Sequence, residues 1–319
     1  YLNYNPIHEI IDSIQKISES SSVAAIGFFD GVHQGHRALI NSVRQEAERA
    51  NNTSAIVTFR THPRQVLNSD CRFSLLTTTD EKLELLEKTG IDYAIVLDFT
   101  PEMSLLSARE FLQLLKENYN IQALFIGYDH RFGHNRKEGF EDYTAYGKEL
   151  GVQIFKAEAF SMDKTNISSS IIRQLLETGN IKQANRFLSY RYAITGNVID
   201  GFKLGRKLGF PTANISLLNT EKLIPAHGVY AVETVLPNGE VRDGMLNIGN
   251  RPTLERQGDY SIECHIFDFT GDLYGKDLTV RFVSYLRPER KMNSLEELKA
   301  QLKEDKQNAI LALSQKSIS

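Results

Sequence analysis

What most constrains this chain is a change of hydrophobic period near residue 190. From Val23 to about Lys156, short apolar runs alternate with amphipathic stretches. The runs Val23–Phe28, Ala55–Phe59, Tyr93–Leu97, Ala123–Ile126 and Val152–Phe155 are nearly continuous in apolar residues, which predicts parallel strands covered on both faces. Between them, 36–50, 80–88 and 107–119 place apolar residues three and four apart, as in Leu83 and Leu86, or Phe111, Leu112 and Leu115. That spacing predicts helices, with Asp80 and Ser107 as N-caps. Alternating strands and helices imply a doubly wound parallel sheet with ligands at the carboxyl ends of its strands.

A helical pair, Ser169 to Glu177 and Ile181 to Leu188, closes this α/β half, so a first domain of 1–188 and a second of 189–319 are expected. In the second, Arg191 to Asp200, Gly228 to Leu236, Val241 to Ile248, Tyr260 to Phe269 and Leu278 to Leu286 read as strands, with turns at Pro237-Asn238-Gly239 and Thr270-Gly271-Asp272. Strands without intervening helices predict a small antiparallel barrel. A terminal helix from Ser294 to about Ser314, with Leu295, Leu298, Leu302 and Ile310 on one side, should pack on it.

The balance of 37 Lys and Arg against 40 Asp and Glu gives a formal charge of -3, so no global field recruits nucleic acid or an anionic membrane. Any anion must be caught locally. Cys71 and Cys264 have no disulfide or zinc spacing, and no apolar run approaches the roughly 20 residues of a bilayer span. Tyr1 to Ile11 carries Asn, Pro, His and Glu rather than a signal core, and a soluble, cytoplasmic protein is expected.

Two stretches suit phosphate. Gly27-Phe28-Phe29-Asp30-Gly31-Val32-His33-Gln34-Gly35-His36 runs from a predicted strand into a predicted helix, where free N–H groups and the helix dipole favour an anion. Gly35 lets a phosphate approach, and two imidazoles can stabilise charge moving onto pyrophosphate as the bond to the alpha phosphorus breaks. Read alone, the His33 and His36 pair also fits capping or packing, or a metal pair, although no further Cys or His cluster completes a set. Gly201 to Gly209 is not a Walker loop, yet its three glycines with Lys203, Arg206 and Lys207 precede Pro211-Thr212-Ala213-Asn214 and can wrap a polyphosphate. Taken alone, the loop reads by default as a plain glycine-rich hairpin.

The first stretch resembles the Gly-Phe-Phe-Asp-Gly-x-His-x-Gly-His segment of bacterial bifunctional riboflavin kinase/FAD synthetases, within the wider nucleotidylyltransferase superfamily. Gly127-Tyr128-Asp129-His130-Arg131-Phe132-Gly133 and Ile167-Ser168-Ser169-Ser170-Ile171-Ile172-Arg173 match in order, as does Gly209-Phe210-Pro211-Thr212-Ala213-Asn214 for the kinase half. The resemblance implies a Rossmann-like adenylyltransferase domain followed by a riboflavin kinase barrel. It implies that His33, His36 and Arg173 carry adenylyl transfer, and that Gly27, Phe28, Asp30, Gly31, Gly35, Ser168, Ser169 and Ser170 hold its nucleotide. Ser168 to Ser170 also suit a serine N-cap. Asp129 and Arg131 fall near the flavin. In the second half, Gly205, Arg206 and Gly209 would hold the other nucleotide, Thr212 and Asn214 a magnesium ion, and Asn250 and Arg251 the flavin. A hydroxyl and an amide oxygen are hard ligands suited to that cation.

The Glu of the family's Glu-x-His segment is its kinase base, here Glu263; strand alternation turns it away from Ile262, Cys264 and Ile266. Alone it would read as a solvated strand charge. The implied reactions are phosphorylation of riboflavin by ATP to FMN, then adenylylation of FMN by a second ATP to FAD, with magnesium and with riboflavin, FMN and ATP as partners. The chain departs from the pattern at Ser170, His130, Phe202 and Lys203. A bulkier loop at Phe202 and Lys203 would close less tightly on ATP, which leaves open an enzyme with adenylyl transfer only, or a flavin-binding regulator with little turnover. Thr61 to Thr79 and Glu255 to Asp259 are polar enough to act as lids.

Overall fold

The computed structural model describes the main chain of residues 9–12 and 250, together with residues 21–67, 74–128, 130–134, 137–201, 205, 208–249 and 260–315. Contacts group the chain into two compact units, 1–169 and 170–319.

In the first unit β1 (Glu9–Asp12), β2 (Ser22–Ile26), β3 (Thr53–Phe59), β4 (Tyr93–Leu97), β5 (Ile121–Ile126) and β6 (Gln153–Lys156) form one sheet in the order β1-β4-β3-β2-β5-β6. Every neighbouring pair is parallel. All five expected strands are present, and β1 adds an edge that the apolar pattern did not announce. The crossovers carry α1 (Gln34–Ala50), α2 (Pro63–Leu67), α3 (Thr79–Glu87), α4 (Pro101–Ser104), α5 (Ala108–Tyr119) and α6 (Phe140–Leu150).

Because successive strand residues point to opposite faces, β2 serves two layers. Val23 and Ala25 pack with Ile40, Val43 and Ala47 of α1 and Leu86 of α3. Ala24 and Ile26 pack with Phe111, Leu112 and Leu115 of α5 and Tyr143 of α6. Ser107 caps α5 as expected, accepting the Glu110 N–H while the Glu110 carboxylate accepts the Ser107 N–H. The expectation for Asp80 is corrected: Thr78 is the N-cap of α3, in a capping box with Glu81. Asp80 lies instead in the first turn, where its charge suits the helix dipole.

A short hairpin, β7 (Ser161–Met162) and β8 (Thr165–Asn166), precedes α7 (Ser169–Glu177) and α8 (Ile181–Leu188). The second unit then closes β9 (Ala193–Ile199), β10 (Ala213–Leu217), β11 (Gly228–Val235), β12 (Val241–Asn250), β13 (Tyr260–Ile266) and β14 (Asp277–Arg287) into a barrel ordered β10-β13-β12-β11-β14-β9. All its pairings are antiparallel. Five strands were expected; the sixth, β10, closes the barrel and carries Ala213 and Asn214.

The terminal helix α9 (Leu295–Ser314) is present, and of the expected stripe Leu302 packs on the barrel cluster while Leu295 and Ile310 do not. Leu295 and Ile310 are 54% and 50% exposed, whereas Gln301, Asp305, Ala309 and Leu313 are buried. The reason is electrostatic. Arg287 of β14 donates through Nε and a terminal nitrogen to both Asp305 oxygens, at 2.8 and 2.7 Å, and Gln301 donates to Asp305 at 3.0 Å. A bidentate pair of this kind orients a helix as firmly as an apolar stripe would. Ala309 and Leu313 then cover Ala231, Met245 and Phe267 on the barrel's outer surface.

Candidate active sites

In the first unit the strand order reverses between β2 and β5, and the loops leaving their carboxyl ends, 27–36 and 127–133, are the two expected site segments. A doubly wound sheet opens its ligand crevice at that point. The first loop is held in a costly shape. Phe29, Gly31 and Val32 have φ of 57°, 79° and 36°, and a β-branched residue such as Val32 rarely adopts a positive φ. Burial of Phe29 and Val32 opposes its relaxation.

Asp30 fixes the centre of the loop. Its carboxylate accepts from the N–H groups of Leu76 and Thr77 at 3.0 Å and from the Thr77 hydroxyl at 3.2 Å. That hydroxyl also accepts the Gly31 N–H, and Ser169 Oγ donates to the Asp30 carbonyl at 2.9 Å. Asp30, expected among the nucleotide-binding residues, shapes the loop through these bonds, and Ser169 holds it. Replacing Asp30 by Ala would leave two buried N–H donors without acceptors and should destabilise the first unit by about 3 kcal/mol, measured by chemical denaturation.

His33 is the N-cap of α1, its Nδ1 accepting the His36 N–H at 3.3 Å, so a neutral His33 keeps its proton on Nε2. The two imidazoles stack, with centroids 3.6 Å apart and planes at 16°. Burial first, then the neighbouring His33 and Lys82, holds the His36 pKa well below the ordinary histidine value. His36 is therefore neutral at pH 7, and its Nδ1 is buried with no hydrogen-bond partner among the described residues. A side chain on Gly35 would come within 3.2 Å of the His33 ring and 3.3 Å of the Ile167 carbonyl, which is why the tight stack needs glycine there. Gly27 leaves β2 with its N–H donated to Val57.

At the end of β5, Phe132 stacks on Tyr143 at 4.3 Å, and the Tyr143 hydroxyl bonds the Phe132 N–H and carbonyl. This anchor leaves Arg131 exposed at the crevice. Asp129 lies outside the described residues. Ser168 precedes α7, and Ser170 and Arg173 lie within it, grouped by contact with the second unit.

In the barrel the register assembles a second constellation. Asn214 of β10 pairs with Glu263 of β13, and Glu263 pairs on its other side with Asn247 of β12. Directly opposed residues project from the same face, so one carboxylate lies between two amides. The opposite face of β13 points into the barrel, where Cys264 is fully buried against Thr234 and its thiol is pushed up to about 11. Glu263 thus faces outward, as expected. Gly201 abuts Asn214: a side chain there would meet the Asn214 amide nitrogen at 2.0 Å.

Phe210 and Pro211 lie against β13. Phe210 N–H donates to the Gly205 carbonyl, and His265 Nδ1 donates to the Pro211 carbonyl at 2.7 Å with its ring against Phe210. Burial lowers the His265 pKa, so this neutral imidazole acts as a latch that sets Thr212 at the head of β10. Gly209, with φ of 86°, makes the turn. Phe202, Lys203, Arg206 and Arg251 lie outside the described residues, as does the Asn250 side chain. Among the described residues no three His, Cys, Asp or Glu side chains cluster as a metal cage. A hydroxyl and an amide oxygen, as on Thr212 and on Asn214 across from Glu263, are hard donors of the kind that suits a magnesium ion whose other ligands are phosphates.

Sequence reasoning missed Thr77, His265 and Tyr143, which position site residues. Lys82 was also missed, although its spacing of four from Leu86 places both on the buried face of α3.

An open parallel sheet with a histidine pair at its switch point, joined to a barrel with a glycine-rich loop and a carboxylate between two amides, defines a class: two-domain transferases acting on nucleotide phosphates. The comparisons make this specific. The FAD synthetase family matches residues 15–171 and the riboflavin kinase family residues 188–313. A bifunctional riboflavin kinase/FMN adenylyltransferase of Bacillus subtilis (strain 168) is 37% identical over 300 residues, covering 92% of this chain and 93% of its own length. Its counterpart in Escherichia coli (strain K12) is 35% identical over 302 residues, covering 94% and 95%. The chain belongs to the bifunctional riboflavin kinase/FMN adenylyltransferase family. A crystal structure described as a macrolide-efflux protein from Streptococcus pneumoniae superposes with a TM-score of 0.87 at 28% identity, covering 94% of this chain and 98% of that one. Efflux belongs to that protein's description; among the described residues here, no helix is long and apolar enough to cross a membrane.

Proposed function

We propose that the two units carry the two successive reactions of this family, the barrel phosphorylating riboflavin to FMN and the parallel-sheet unit adenylylating FMN to FAD. The observation that supports this reading is that the two constellations fall in different compact units, the His33 and His36 stack in 1–169 and the Asn214, Glu263 and Asn247 register in 170–319. Domain limits of 1–188 and 189–319 go with this assignment.

In the kinase reaction Glu263 takes the proton from the riboflavin 5'-hydroxyl, whose oxygen attacks the gamma phosphorus of ATP, and ADP leaves. Asn214 and Thr212 would hold a magnesium ion, which when bound would supply positive charge against the phosphates. Gly205, Arg206 and Gly209 wrap the nucleotide, and Asn250 and Arg251 orient the flavin. In the second reaction an FMN phosphate oxygen attacks the alpha phosphorus of another ATP and pyrophosphate leaves. His33 and His36, with Arg173, hydrogen-bond the phosphates as charge moves to the leaving group. Gly27, Phe28, Gly31 and Gly35 shape the cradle, Ser168 and Ser170 extend it, and Asp129 and Arg131 address the flavin. Since both reactions consume ATP, the cytoplasm is the compartment that fits.

The test is a time course of riboflavin with magnesium and ATP, separating the three flavins by chromatography. FMN should appear first and FAD follow. FAD from supplied FMN without any FMN from riboflavin would leave only the adenylyl transfer, and neither product would defeat the reading.

A further inference from the structure

Lys82 reaches in from α3 and is 1% exposed. Its ammonium donates to the Phe59 carbonyl at the end of β3, at 2.7 Å, and lies 4.1 Å from the centroid of the Phe28 ring. Phe28 opens the loop that presents His33 and His36. The edge of His62 meets the same ring with centroids 4.5 Å apart, and the Phe28 carbonyl accepts the Thr58 hydroxyl at 3.0 Å. The entrance to the strained loop is therefore gripped twice, by a cation on its ring and by β3 on its backbone.

Burying an ammonium is unfavourable, and a methionine of similar length would fill the space without that penalty. Among the described residues the ammonium is held by the Phe59 carbonyl and a ring face, not by a bidentate carboxylate. The charged and titratable groups that act on it or sense it are Asp30 in the loop, Arg60 just past β3, and His36 at the start of α1 with His33 stacked upon it. Asp30 favours the charged form; Arg60 opposes it.

We propose that Lys82 is a positioning residue for adenylyl transfer: its buried charge pins Phe28 to the end of β3 and so fixes the loop that presents His33 and His36 to the ATP phosphates. The inference rests on reading this loop as the ATP cradle. Positive φ at Phe29 and Val32 means the loop relaxes when a tether is lost, and a displaced cradle no longer meets the phosphates in line. Burial places the Lys82 pKa at about 8, so the tether weakens as pH rises through that region.

The test uses the full-length protein with FMN and magnesium-ATP, following kcat/KM for ATP from mildly acidic to alkaline pH in the wild type, Lys82→Arg and Lys82→Met. The wild type should lose activity above about pH 8. Lys82→Arg should keep neutral-pH activity and carry the decline to more alkaline pH, because a guanidinium stays charged. Lys82→Met should be slower by about 10²-fold with no alkaline step. FMN formation from riboflavin should be equal in all three. Wild-type rates and an unchanged profile in Lys82→Met would overturn the proposal. If that variant does not fold, an unshifted alkaline decline in Lys82→Arg would overturn it instead. Failure of the underlying reading looks different: the wild type itself would then make no FAD.

Discussion

His36→Ala should lower FAD formation from FMN by about 10²–10³-fold, the loss that follows removal of a preorganised donor to developing charge. His36 stacks on His33 and lies 5.0 Å from the Phe29 ring, so the change removes a hydrogen-bond donor and also loosens its partner imidazole. FMN formation from riboflavin should be untouched, because the barrel has its own core and its own site residues. Steady-state rates for each half-reaction, with the unfolding transition as a control on the fold, measure both effects. Equal loss of the two activities in a folded variant would contradict the assignment of His36 to one of them.

The reciprocal change, Glu263→Gln, keeps the size of the side chain and removes its capacity to take a proton. Riboflavin phosphorylation should fall by about 10²–10⁴-fold while FAD formation from supplied FMN persists. The barrel should remain intact, since Glu263 faces outward between Asn214 and Asn247 and the interior face of β13 is filled by Ile262, Cys264 and Ile266. A drop in FAD formation from FMN of similar size would mean that Glu263 serves the other reaction.

The parts of the fold that were legible are those whose signal is local. The central strands β2, β3, β4 and β5 are buried along nearly all their length, so each appears as a largely apolar run, and Ser107 announces α5 through a four-residue capping box with Glu110. What was not legible depends on partners distant in sequence. β10 pairs with β13 at only two register positions, and its Ala213 and Asn214 lie beside polar, turn-like Pro211 and Thr212, so the segment reads as a motif rather than as the strand that closes the barrel. On α9 the apolar positions suggested one face, but Asp305 found Arg287, and of those positions Leu302 packs on the barrel cluster while Leu295 and Ile310 do not. α6 escaped because Tyr143 and Gly147 are its buried residues, too sparse to show a period.

The site divides in the same way. The histidines, the serine run and Glu263 were visible as residue types in sequence, because the chemistry restricts which side chains can serve. Their arrangement was not visible. The stacking of His33 on His36, the bonds of Asp30 to the 76–77 backbone and the placing of Glu263 between two amides arise from loop geometry and strand register. Lys82 went unnoticed because its one sequence signal, the spacing of four from Leu86, is weak beside the charged residues around it.

The central claim is that one chain splits ATP at two different phosphorus atoms. Giving the protein riboflavin with ATP labelled either at the gamma or at the alpha phosphate, and separating the flavin products, tests it directly. Gamma label should enter both FMN and FAD, and alpha label FAD alone. Alpha label in FMN, or FAD that carries neither label, would contradict the account.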